Sequence, residues 1–193
     1  MPYTINENYR LKRLAKFTSS ATKVLDIGCS QYPNNFLNNQ ELYGLDLNEA
    51  ELPKNYLGFI QGDLTKVIEK NERFDAIIAG EVLEHIEDPI AFLKQCKSCL
   101  NKEGLLILST PNPHSIIEII LTFFLNKRFF YTQDHIMLFP QRWLIRMLER
   151  AGFTDIKLYS GGFPIPPFGL IPCPRFFCHQ TIAIASISKQ IHA

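Results

Sequence analysis

The chain has 193 residues, enough for one domain with a substantial core. With 46% hydrophobic and 20% charged residues it reads as globular rather than disordered, and a net charge of +1 supplies no broad basic field for nucleic acid. Five cysteines at irregular spacing, and no secretory signal at the start, point to reduced thiols in a cytoplasmic protein.

In chain order, short apolar runs recur at Lys23–Ile27, Leu42–Leu47, Leu57–Gly62, Phe74–Gly80 and Gly104–Thr110. Each is bounded by Gly, Asn, Asp or Pro, as strands buried on both faces should be. Between the last two, Phe92, Leu93, Cys96, Cys99 and Leu100 fall at helical spacing. Asp88 is placed to cap that helix, and Pro89 suits its first position. The apolar tract from Ser115 to Leu125 has a polar stripe of Ser115, Glu118 and Thr122. It is shorter than the roughly 18 residues that span a bilayer.

The stretch "PQRWLIRMLERAG" predicts a helix burying Trp143, Leu144, Met147, Leu148 and Ala151, ended by Gly152. Two further strands follow, in "FTDIKLYS" and "QTIAIASIS", and the prolines between them exclude a helix. Strands alternating with helices predict a doubly wound, mostly parallel α/β sheet with helices on both faces. The whole is expected to form a single domain, with insertions at about 111–139 and 161–177 on the substrate side.

In such sheets a ligand sits beyond the carboxyl ends of the strands. The first strand ends at Asp26, Ile27, Gly28 and Cys29, where a glycine permits a tight turn. The second ends at Asp46, about twenty residues on, where an acid can receive a ribose diol. The third ends at Gly62, Asp63 and Leu64, which suit an adenine amino group and ring. These acids equally suit a structural role as caps of following helices. A dinucleotide site needs G-x-G-x-x-G opening a helix, and "GCSQYPNN" offers one glycine and a proline. That reading loses.

With "FDAIIAGEVLEHIEDP" (Phe74 to Pro89), the chain resembles class I S-adenosylmethionine-dependent methyltransferases. The resemblance is to the small-molecule branch, which includes ubiquinone-type O-methyltransferases and bacterial polysaccharide-cluster methyltransferases. The segments "VLDIGC", "LYGLDL", "QGDL", "EVLEHIEDP", "GLLILSTPNP" and "LERAGF" stand in the family's order between Val24 and Ser188. The resemblance implies a Rossmann-like seven-stranded sheet with the last strand antiparallel. It implies S-adenosyl-L-methionine as cofactor and methyl transfer to a small molecule, on oxygen.

Carried over residue by residue, Asp26 and Gly28 would lie along the methionine part of the cofactor, beside Cys29 and Ser30. Asp46 would hold the ribose, Leu47 would lie beside the adenine, and Asp63 and Leu64 would contact it. Gly80 and Glu81 would line the reactive side. The departure is "DIGCSQYP", where the family usually has D-x-G-x-G-x-G; Ser30 adds a side chain where cofactor and backbone come close. A cofactor-binding but catalytically silent partner is the alternative, and a protein or RNA methyltransferase fits less well.

For the chemistry, Glu81, Glu84 and His85 fall at i, i+3 and i+4, so a helix there would bring them together. In ubiquinone-type relatives the corresponding residues are associated with a divalent cation. The preferred reading here is that Glu84 and His85 lock the helix against its neighbours. His135, after Asp134 in "TQDHIMLFP", resembles the family's substrate-side segment and is the candidate base, with His85 and Glu81 behind it. His114 reads as part of a helix start, and Cys96 and Cys99 as core rather than a zinc or redox pair. The apolar insertions, with Lys127 and Arg128, suit a lid over an apolar or lipid-linked substrate, a homodimer surface, or a peripheral membrane contact.

Overall fold

The computed structural model describes residues 5–38, 40–116, 119–120, 135–165 and 169–188. Helix α1 (Ile5–Lys16) precedes β1 (Lys23–Ile27), β2 (Glu41–Asp46) and β3 (Tyr56–Gln61). Then come α2 (Leu64–Glu69), β4 (Phe74–Gly80), a 3-10 turn (Leu83–His85), α3 (Pro89–Ser98) and β5 (Leu100–Pro111). A further helix, here α4 (Gln141–Ala151), leads to β6 (Asp155–Ser160), β7 (Phe163–Ile165), β8 (Gly169–Ile171) and β9 (Gln180–Ser186).

Seven strands form one sheet in the order β3-β2-β1-β4-β5-β9-β6. Pairs among the first five are parallel, and β9 runs antiparallel to both β5 and β6. The prediction of a last antiparallel strand is thereby met. The order reverses between β1 and β4, so a crevice opens where their carboxyl ends diverge.

Helices cover both faces, unevenly. On one face Leu64 and Val67 of α2, Phe92 and Leu93 of α3, and Leu144 and Leu148 of α4 pack against Leu25, Ile27, Ile77 and Leu106. On the other, Leu14 of α1 and Leu37 of the loop after β1 cover Val24, Leu42, Ile78 and Ile107. Among the described residues no helix joins β1 to β2 or β2 to β3. The prolines between β6 and β9 admit a small antiparallel ribbon, β7 with β8, rather than a helix.

Asp88 caps α3 through its side chain, which accepts the Ala91 N–H at 3.0 Å, and Pro89 occupies the first turn. Gly152 ends α4 with a left-handed φ of 93°. One prediction fails on α4: Trp143 is 63% exposed. The buried stripe is Leu144, Leu148 and Ala151, at i, i+4 and i+7, and Trp143 lies about 100° around the helix from it. All five cysteines are free; Cys96 and Cys99 are core residues whose thiols burial pushes up, which makes them poor redox or metal groups. No helix among the described residues is long and apolar enough to cross a membrane.

Candidate active site

A cleft of about 650 Å³ lies beyond the carboxyl ends of β1, β2, β3 and β4, bordered by the first turns of α3. Gly28, Ser30, Asp46, Leu47, Asp63 and Leu64 line it. Glu81 and His85 face it from the segment after β4. Its charged lining consists of Asp46, Asp63, Glu81, Glu87 and Asp88, with no lysine or arginine among the lining residues. The two helix N-termini at its border, which would otherwise attract a phosphate, are capped by Asp63 and Asp88. The cleft is built for a cation-bearing ligand rather than a pyrophosphate.

The turn after β1 keeps its shape with a single glycine. Gly28 has φ +75°, and a Cβ there would fall 2.6 Å from Val82 Cγ2. The Ser30 N–H donates to Asp46 Oδ2 and the Asn48 N–H to Asp46 Oδ1, each at 2.9 Å. Each carboxylate oxygen can accept further hydrogen bonds, so Asp46 can still receive a diol. Asp63 accepts the Thr65 N–H at 3.0 Å and also bonds the Thr65 hydroxyl; these bonds hold its carboxyl below the usual range.

Three of the sequence-predicted cofactor residues do not line the cleft. Asp26 is buried and accepts from Tyr56, and burial raises its pKa to about 6. Cys29 packs its thiol where Gly44 has no side chain, 3.9 Å from the Leu45 carbonyl oxygen, and burial pushes it up to about 12. Gly80 makes room for Arg10 of α1: a Cβ there would fall 2.7 Å from Arg10 Nη1.

After β4 the backbone turns through Glu81 at φ 57° into one short 3-10 turn, not the longer helix that the i, i+3, i+4 spacing suggested. Glu81 Oε1 accepts from the Ser109 hydroxyl at 3.0 Å. Glu84 points inward and is fully buried, and among the described residues neither carboxyl oxygen has a partner in good hydrogen-bond geometry. Burial, and next the charge of Glu81, push its pKa up to about 9. Its carbonyl accepts the Ile136 N–H at 2.9 Å, which brings the segment from His135 onto this turn.

The His85 and His135 rings then meet edge to face with centroids 4.8 Å apart, and His135 Nε2 lies 3.8 Å from Glu84 Oε1. Ligand atoms of Glu84, His85 and His135 all lie within 4.8 Å of one another, a set that fits a divalent cation; Glu81 is not in it. His114 stacks on Phe176 at 6.2 Å, away from these groups, and Ser115 accepts the Ile119 N–H as a helical turn opens. Asp134, Lys127, Arg128 and most of the apolar tract lie outside the described residues.

A family described as a methyltransferase domain matches residues 6–158. The chain belongs to this methyltransferase family. A ubiquinone biosynthesis O-methyltransferase of Cereibacter sphaeroides is 34% identical over 103 residues, 47% of this chain and 41% of that protein. The counterpart of Bradyrhizobium diazoefficiens is 34% identical over 102 residues, 47% and 40% of the two chains. The match thus spans less than half the length of these curated relatives.

Among solved structures, a SAM-dependent methyltransferase from Archaeoglobus fulgidus superposes with a TM-score of 0.71 at 18% identity, covering 93% of this chain and 92% of that one. A SAM-dependent methyltransferase from Thermotoga maritima, described as a possible histamine N-methyltransferase, gives 0.73 at 17% identity over 94% and 89%. At these identities the likeness is one of fold. This family member carries groups that sequence reading did not find, namely Arg10, Asn34, Tyr56 and Ser109. Only Arg10 left a trace, as a cation on the apolar side of an amphipathic helix.

Proposed function

We propose that the protein is an S-adenosylmethionine-dependent methyltransferase acting on a hydroxyl of a small molecule. The observation that carries the reading is the cleft at the β1/β4 reversal, lined among the described residues by five carboxylates and no lysine or arginine. A sulfonium and an ammonium suit such a lining; a dinucleotide does not. The volume is ordinary for a small-ligand site. Asp46 would take the ribose hydroxyls, Leu47 and Leu64 the adenine faces, and the turn at Gly28 the amino-acid end.

The cofactor supplies an electrophilic methyl group on positively charged sulfur. This chain's part is to align an acceptor oxygen with that methyl and to receive its proton. His135, whose ring meets that of the cleft-lining His85, is the proposed base. Glu84, His85 and His135 could instead hold a divalent cation, which would act as a Lewis acid toward the same oxygen in place of the histidine base.

The acceptor would carry an apolar body. Ile136 (57%), Phe176 (63%) and Trp143 (63%) are exposed. Gln141 at the start of α4 donates to the Arg175 carbonyl at 2.9 Å, and His114 stacks on Phe176. A lipid-linked acceptor at a membrane surface suits such exposed apolar side chains, and so does a second copy of the chain. We place the protein in the cytoplasm, as one domain.

Calorimetric titration with S-adenosylmethionine and S-adenosylhomocysteine tests the cofactor. Turnover of phenols, catechols and lipid-linked sugars tests the activity. Binding of both cofactor forms without turnover of any acceptor supports the silent-partner reading; absence of binding sinks both.

A further inference from the structure

Tyr56 is the first residue of β3, yet its hydroxyl reaches across β2 to the end of β1. It donates to Asp26 Oδ2 at 2.5 Å and accepts the Asn34 N–H at 2.6 Å. Asn34 is fully buried, and each of its polar groups is matched. Its Nδ2 donates to the Leu11 carbonyl of α1 at 3.1 Å, and its Oδ1 accepts the Phe36 N–H at 3.1 Å. Its carbonyl accepts from Asn55 Nδ2 at 3.2 Å.

The chain from Gly28 to Leu37 has no second glycine and no helix to hold it. The Leu11 carbonyl of α1, with the side chains of Asp26 in β1, Tyr56 in β3 and Asn55 before β3, fixes its path instead. A fully matched buried network of this kind rigidifies what it encloses. Its upper end carries Ser30, whose N–H orients the Asp46 carboxylate in the cleft.

We propose that Tyr56 is a positioning residue for the cleft: its hydroxyl bridge from Asp26 to Asn34 sets the turn at Gly28 to Ser30, and through Ser30 the Asp46 carboxylate. It governs ligand affinity without touching the ligand.

The bridge has a titratable half. Asp26 is faced by Tyr56 from β3, Arg10 from α1, Asp46 from β2 and Cys29 from the turn. Burial raises it to about 6, while the Tyr56 hydroxyl, the Asn34 N–H and Arg10 hold it from rising further. Above that pH the hydroxyl donates to a carboxylate; below it the bond loses its charge assistance. Without the hydroxyl, Asp26 loses its strongest stabilising partner and Asn34 its nearest acceptor.

The test rests on the proposed cofactor only for its probe, S-adenosylhomocysteine, titrated calorimetrically between about pH 5 and 8. Wild-type affinity should be level above neutrality and fall below about pH 6. Tyr56→Phe should bind about tenfold more weakly at pH 8, the loss of one hydrogen bond, and its fall should begin nearer neutral pH. Asp26→Asn keeps the size and an acceptor for the hydroxyl, and should abolish the step.

A Tyr56→Phe protein with wild-type affinity and pH profile overturns the proposal. If that variant does not fold, a pH step that survives in Asp26→Asn overturns it instead. Amide exchange of the ligand-free protein separates this idea from the cofactor assignment. Ser30 and Asn34 should exchange about tenfold faster in Tyr56→Phe while Ile77 and Ile107 are unchanged. Unchanged protection at Ser30 and Asn34 refutes the bridge whether or not the probe binds.

Discussion

Ser30 donates its backbone N–H to the carboxylate of Asp46 at 2.9 Å, tying the turn after β1 to the acid that ends β2. The bond uses the main chain, so the residue type at position 30 does not enter it. The glycine-poor turn is therefore compatible with a formed cleft. What the side chain adds is bulk at the rim, not a missing contact.

From this, Ser30→Gly should leave S-adenosylhomocysteine affinity within about threefold of wild type, whereas Asp46→Ala should weaken it by about 10- to 100-fold. The second change removes a half-buried acceptor worth on the order of 1–3 kcal/mol and frees the turn as well. Calorimetry reads both. Equal affinity of Asp46→Ala and wild type, with the fold intact, removes Asp46 from the site.

Gly28 is constrained twice, by φ +75° and by Val82 Cγ2 at 2.6 Å from its missing Cβ. Gly28→Ala should destabilise by about 1–3 kcal/mol, from left-handed strain together with overpacking. Adding Val82→Ala should recover the packing part and leave the strain, so the two changes should be non-additive in urea denaturation. Strict additivity would show that Val82 yields freely.

Much of this was legible in the sequence because it is periodic or local. The runs Lys23–Ile27 and Phe74–Gly80 are strands end to end, and Asp88 caps its helix three residues from Ala91. The acids ending β1, β2 and β3 were found, but not their partners. Tyr56 and Asp26 are 30 residues apart and Asn34 and Tyr56 are 22. Neither pair leaves a period, and a tyrosine opening a strand looks like any β-former. Glu81, Glu84 and His85 were read as one helix face; a left-handed Glu81 instead sends Glu84 into the core and His85 to the cleft.

The opposite end of the sheet offers a test of stability separate from ligand binding. Asp75, at the start of β4, accepts the Lys23 N–H at 2.9 Å, the Thr22 N–H at 3.1 Å and Asn101 Nδ2 at 2.7 Å. The Lys23 N–H chiefly holds its carboxyl below the ordinary value of 3.8. A lowered carboxyl contributes stability that is present above its unfolded pKa and lost as pH falls through the folded one. Asp75→Ala should therefore cost about 1 kcal/mol at pH 7, since the site is largely solvent-screened. The cost should shrink as the pH falls below 3.8, with cofactor affinity unchanged at pH 7. A cost that does not change with pH would mean that packing, not charge, holds that corner.

His135 meets His85 edge to face, its Nε2 lies 3.8 Å from Glu84 Oε1, and its side chain is 16% exposed. An imidazole in that place can accept the proton of a hydroxyl as the oxygen attacks. His135→Ala should cut turnover by about 100-fold or more and leave S-adenosylhomocysteine affinity near wild type, the pattern of a group that acts in the transition state. His135→Asn keeps a polar side chain but cannot take up the proton, so it should be about as slow as His135→Ala. Adding imidazole to His135→Ala should restore part of the rate, which a purely structural histidine would not allow. If both variants turn over an acceptor at the wild-type rate from about pH 6 to 9, His135 only braces the turn. The proton would then leave through His85 or Glu81, the two other titratable groups that sequence reading placed at the reaction and the structure places on the cleft wall.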